Sequence, residues 1–146
     1  MIQSNEIWRK APILAIAGGL AFWVANFAIS RTPIAAEYRA ALSISYFPML
    51  LESLLAGLML GFCVSYFLVR WYKKIPTENP ILKSVLLSII TIIIVTILLQ
   101  ASPSFLTAIN NALRYFLIGT IINVIRILAL GISIGYLYDK VNGGVR

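Results

Sequence analysis

Residues 81–101 read ILKSVLLSIITIIIVTILLQA, with one charge, Lys83. Such a β-branched run favours strands in water, but strands rarely exceed about 10 residues. About 20 apolar residues rising 1.5 Å each match the roughly 30 Å hydrocarbon core of a bilayer. In lipid the backbone must satisfy its own hydrogen bonds, so a run of this length is a helix despite its strand-like composition. Asn79 and Pro80 in front of it supply an N-cap and a first-turn proline.

Three further runs flank this one, at about 12–30, 47–69 and 115–138. Of 146 residues, 60% are hydrophobic and 12% charged, against roughly 45–50% and about 25% in a soluble domain. With a mean hydropathy of +0.92, a soluble globular domain is excluded. The sequence therefore predicts an all-α membrane protein: one domain over 1–146, four transmembrane helices in a bundle. The first run is longer than the roughly 7–15 residues of a signal-peptide core, so it is expected to be a retained anchor.

Lysine and arginine orient the spans. Arg9, Lys10, Arg70, Lys73, Lys74, Lys83, Lys140 and Arg146 fall on one side; Arg31, Arg39 and Arg114 fall on the other. The positive-inside rule makes the first side cytoplasmic. The expectation is a multi-pass protein of the cell membrane with both termini inside. The net charge of +7 is then topological, and no nucleic-acid partner is expected. Arg70–Lys74 reads as an ordinary helix end at the headgroups.

Short matches recur in the same order along the chain. Pro12-Ile13-Leu14 returns as Pro80-Ile81-Leu82, Thr32-Pro33 as Ser102-Pro103, and Tyr46-Phe47 as Tyr115-Phe116; Gly61 with Tyr66 returns as Gly131 with Tyr136. The offsets are 68, 70, 69 and 70 residues. They suggest two parallel helical hairpins, over 11–74 and 79–140, related by an axis along the membrane normal. Thr32-Pro33 and Ser102-Pro103 each open an outer connection expected to hold a short interfacial helix.

Two ionisable residues fall well inside the spans, Glu52 and Arg126. A charge there costs roughly 2.5–3.5 kcal/mol on insertion scales and marks a candidate site. Asn123 lies one turn from Arg126, and Asn26 in the first span falls at a similar depth. At 100° per residue, stripes through Asn26, Glu52 and Arg126 each carry small or polar neighbours, as interior seams do. Two readings stay open: a buried Glu52–Arg126 pair with both asparagines as hydrogen-bonding glue, or a water-accessible pocket. Cys63, on the Glu52 stripe, is expected to be a small buried residue.

A second stripe, Ser53, Gly57, Gly61 and Ser65, joins Gly131-x-x-x-Gly135 as a signature of close helix packing. It faces away from Glu52 and offers a surface to the bundle or to a neighbouring subunit. With no histidine and one cysteine, neither metal ligation by imidazole nor a disulfide is expected. No catalytic or phosphate-loop motif appears, so no cofactor, no metal and no enzymatic activity are expected. Two functions remain: a structural or accessory subunit of a membrane complex, or a homo-oligomeric channel or carrier with Glu52, Asn123, Arg126 and Asn26 lining its path.

Overall fold

The computed structural model describes residues 4–100 and 111–143, and these are all-helical. Helix α1 is Ser4–Ser30, α2 is Pro33–Ala41, α3 is Tyr46–Trp71, α4 is Pro80–Val95 and α5 is Ala112–Gly143. A 3₁₀ turn at Tyr72–Lys74 follows α3, and a π-helical turn at Thr96–Gln100 follows α4. Four helices, α1, α3 with its 3₁₀ turn, α4 continued into the π-helical turn, and α5, are long and apolar enough to cross a membrane, which is compatible with a multi-pass membrane protein.

The helix starts have local causes. Asn79 Oδ1 accepts from the Ile81 amide at 2.9 Å, and Thr32 Oγ1 accepts from the Ala35 amide at 3.3 Å. Each cap is followed by proline, whose missing N–H is no loss in the first turn. Helix α1 begins eight residues before Pro12, so this proline lies inside it. The second of the two Ser/Thr-Pro steps, Ser102-Pro103, lies outside the described residues.

Lipid tails are as apolar as leucine, so helices in a membrane associate through packing and polar contacts rather than hydrophobic burial. Glycine supplies the packing here. A Cβ on Gly61 would stand 2.7 Å from the Ala15 carbonyl oxygen, and one on Gly57 would stand 3.0 Å from the Gly19 carbonyl oxygen. Both contacts join α3 to α1. Across the molecule, a Cβ on Gly135 would stand 2.5 Å from Ile81 Cα, while Gly131 faces Ser84 and Ser88; these join α5 to α4. Helix α1 also lies along α5, where Gly18 admits the Ile134 side chain.

The small-residue stripe of α3 is therefore occupied within the chain. Ser53, Gly57, Gly61 and Ser65 are all buried, and α1 covers them rather than a second subunit. Ser84 and Ser88 of α4 are likewise fully buried, while Leu86, Ile89, Ile90 and Ile93 on its other sides are exposed.

The two ends of the molecule differ. From mid-bundle toward the termini Leu14, Leu68, Ile127, Leu130 and Ile134 are at most 2% exposed. There, too, Tyr72 stacks on Tyr138 with ring centroids 4.7 Å apart, and the Lys83 ammonium sits 3.7 Å over the Tyr72 ring and donates to its carbonyl. Tyr72 thus turns inward to join α4 and α5 instead of facing headgroups. Lys83, Ser65, Ser84 and Ser88 are buried toward this end as well, and toward the α2 end the buried polar side chains are Asn26, Ser30, Ser53 and Asn123.

Gly61→Leu and Gly135→Leu are expected to lower stability by about 1–3 kcal/mol or more, since the obstructing atoms are backbone and cannot turn aside. Gly143→Ala, whose Cβ would meet nothing nearer than Asp139 at 4.0 Å, should leave the midpoint unchanged. Denaturant titration of the purified protein, read by tryptophan fluorescence, measures all three.

Candidate functional site: a polar cavity at the α2 end

Arg126 lies on the α5 stripe with Gly119, Asn123 and Leu130. Its Nη1 donates to Asn26 Oδ1 of α1 at 2.9 Å, and its Nη2 donates to Asn123 Oδ1. The guanidinium carbon stands 5.2 Å from the centre of the Phe22 ring. Asn26 in turn donates through Nδ2 to Ser53 Oγ at 3.0 Å, and Ser53 donates to the Leu50 carbonyl at 2.8 Å. One chain of hydrogen bonds therefore runs from α5 through α1 to α3. Asn26 is 3% exposed and Asn123 8%, so the acceptors that hold the cation are themselves fixed.

Two neutral amide oxygens do not neutralise a guanidinium. Of its five N–H donors, Nε is buried without a partner among the described residues. Among the described residues no carboxylate lies within ion-pairing distance of Arg126; the salt bridges found there are Lys10–Glu6 and Arg114–Glu37.

Glu52 does not close the pair. It is exposed on α3, on the stripe with Ala56, Met59 and Cys63, all exposed as well. The expectation that this stripe is an interior seam and Cys63 buried is corrected here. The glycine face of the same helix can approach α1 more closely, so it is the face turned inward, and the Glu52 face turns out. Arg126, Asn123 and Asn26 are thus brought together, and Glu52 stands apart from them.

Glu52 and Arg126 still share one space. A cavity of about 480 Å³ is lined by Asn26, Tyr38, Arg39, Glu52, Asn123 and Arg126 among others. A second chamber of about 350 Å³ shares Met49, Glu52, Asn123 and Arg126 with it, and adds Ala56, Met59, Leu60 and Val95. These volumes fall in the roughly 300–1,000 Å³ range of small-molecule sites.

Helix α2 forms one wall, a contribution the sequence reading missed. Its Ala35 is buried, Tyr38 and Arg39 line the cavity, and Glu37 ties it to the start of α5. The Glu37 carboxylate accepts from Arg114 at 3.1 Å and from the Tyr115 hydroxyl at 3.3 Å. Arg39 donates to the Ser30 carbonyl at 2.9 Å and lies over the Tyr46 ring. Burial raises the Tyr38 pKa above its usual 10.0, an effect partly offset by the positive charge of Arg126. The signal for this wall was the Thr32-Pro33 helix start; its depth over Arg126 is a property of tertiary packing alone.

Asn26→Ala removes an acceptor from Arg126 and a donor from Ser53, and should cost about 1–3 kcal/mol of stability. Glu52→Gln should leave the melting temperature unchanged, because no partner is lost. Since the fold favours neutral Tyr38, its contribution is intact below about pH 10 and falls away as pH rises through the raised value; Tyr38→Phe should flatten that alkaline loss in melts run against pH. Comparison with protein-family models, curated proteins and solved structures gives no match, and the site is read from its own chemistry.

Proposed function

We propose that the chain is a small multi-pass carrier of the cell membrane that binds a charged solute, anionic or zwitterionic, in the cavity between Arg126 and Glu52. The observation that carries this reading is the half-buried guanidinium of Arg126, held by two amide oxygens and, among the described residues, by no carboxylate, on the wall of a cavity large enough for a ligand. An uncompensated cation in a low-dielectric setting costs several kcal/mol, and an incoming anionic group relieves that cost. A purely architectural arginine would instead be expected to carry its counter-charge.

The proposed setting is a bundle of four spans with both termini cytoplasmic, the cavity opening outward and α2 lying in the outer interface. The lysine and arginine asymmetry supports the orientation. The close packing of Leu14, Leu68 and Leu130, each at most 2% exposed, supports a cavity closed toward the termini, which suits a carrier better than an open pore. No cofactor, metal or chemical step is proposed.

Contacts between the helices support the duplication. Gly61 meets Ala15 and Gly19, and Gly131 meets Ser84 and Ser88; the glycines are 70 residues apart and both pairs of partners 69. At the same spacing Ser53 corresponds to Asn123, Glu52 to Ile122 and Ala56 to Arg126, and all of these line the two chambers. The cavity would then lie between the repeats, where carriers built from repeats place their substrate, with the charges added unequally to the two halves.

The alternative is a structural or accessory subunit of a membrane complex. With the glycine stripe already covered by α1, its docking surface would be the exposed Glu52, Ala56, Met59 and Cys63 face.

Flux separates the two. Vesicles containing the purified protein should move at least one of glycine, acetate, inorganic phosphate, glycerophosphoethanolamine and a short-chain zwitterionic phospholipid across the bilayer faster than empty vesicles. Arg126→Gln and Glu52→Gln should each reduce that uptake roughly tenfold or more, the worth of a charge-assisted hydrogen bond. Uptake equal to empty vesicles across the panel, together with other polypeptides co-purifying at fixed ratio in nanodiscs, would establish the subunit reading.

A further inference from the structure

We infer that the occupant of this cavity is a phospholipid with a primary-amine headgroup, its phosphate on Arg126, its ammonium on Glu52 and an acyl chain in the second chamber. The inference rests on the carrier reading and names its substrate class.

Three observations lead to it. The first is that the shared wall of the two chambers carries two charges of opposite sign, neither with an ionic partner among the described residues. Glu52 lines these chambers from an exposed position, and the Arg126 guanidinium bonds to Asn26 and Asn123 rather than to it. A ligand with an anionic and a cationic group satisfies both charges at once, and a simple anion leaves Glu52 as a repulsive neighbour. Arg39, on the first chamber, adds a second cation on the anionic side.

The second observation is the contrast between the chambers. The first holds Arg39, Tyr38, Asn26 and Ser30; the second continues from the same Glu52 and Arg126 into Phe22, Ala56, Met59, Leu60, Val95 and Ile127. A polar end joined to an apolar end is the outline of an amphiphile, and a small hydrophilic solute would leave the second chamber with nothing suited to it.

The third observation is the mouth. Glu52, Ala56 and Met59 are exposed along α3, and Met59 is 71% exposed. The second chamber therefore reaches the surface on the side of the helices, in the plane a membrane would occupy, rather than only at the α2 end. A lipid can enter there with its chain still among other chains. A primary ammonium donates hydrogen bonds to a carboxylate, whereas a quaternary ammonium has no N–H to give; Glu52 thus selects ethanolamine over choline.

Native mass spectrometry of the delipidated protein, back-titrated with phosphatidylethanolamine, phosphatidylcholine or phosphatidylglycerol in mixed micelles, tests this. Phosphatidylethanolamine should be retained roughly tenfold more tightly than either of the others. Glu52→Gln should erase that preference, and Arg126→Gln should weaken all three. Because Arg126→Gln also breaks the network to Asn26, Ala56→Trp is the companion variant: it fills the mouth from an exposed position and should abolish retention while the melting temperature holds.

Equal retention of the three lipids, or retention indifferent to Glu52→Gln and Ala56→Trp, would overturn the lipid assignment as mere annular binding. Glycerophosphoethanolamine binding as tightly as the whole lipid would also overturn it, and would leave the carrier reading standing with a soluble substrate. If neither the lipid nor its soluble headgroup binds in a manner dependent on Arg126, both readings fail.

Discussion

Backbone approaching backbone is the constraint on which this structure depends. Where the surroundings are as apolar as the side chains, helices hold together only by fitting closely or by sharing hydrogen bonds. Gly57 and Gly61 bring α3 onto the carbonyls of α1, and Gly135 brings α5 onto the backbone of α4. These contacts lie toward the termini and midway along the helices. At the other end Asn26, Asn123 and Arg126 join the helices by hydrogen bonds, and with Glu52 they line the cavity. Tight glycine packing and a polar chamber thus occupy successive stretches of the same helices.

Much of this was legible in the sequence. The length and hydropathy of the four runs located the four long helices, and the capping pairs Thr32-Pro33 and Asn79-Pro80 located two helix starts. The small residues marked close packing but could not say against what; only the structure shows that α1 is the partner. Spacing at 100° per residue put Asn26, Phe22, Gly19 and Ala15 on one face, and all four are buried.

The candidate site was less legible, for a physical reason. Helix α3 carries two faces that both read as interior, one through Glu52 and one through Gly57. Polarity alone favours turning the carboxylate inward, but steric reach favours the glycines, and α1 can pack fully against only one of the two. Depth along the helix was enough to bring Asn26, Asn123 and Arg126 together, since hydrogen bonds between adjacent helices tolerate small offsets. It was not enough to place Glu52, whose position depends on the rotation of α3. The wall supplied by α2 depends on Glu37 meeting Arg114, residues 77 apart, a pairing that no local pattern encodes.

The division of contacts also follows the order in which the chain is synthesised. A ribosome delivers α1, α2 and α3 before α4, and the glycine contacts between α1 and α3 need nothing downstream. The first hairpin can therefore finish packing while the second is still being made. Arg126 comes late in the chain, and its entry into a membrane would cost roughly 2.5–3.5 kcal/mol without a partner. By then Asn26, already anchored to Ser53, stands ready as its acceptor. The most expensive residue to insert thus follows in the chain the two helices that supply its acceptor.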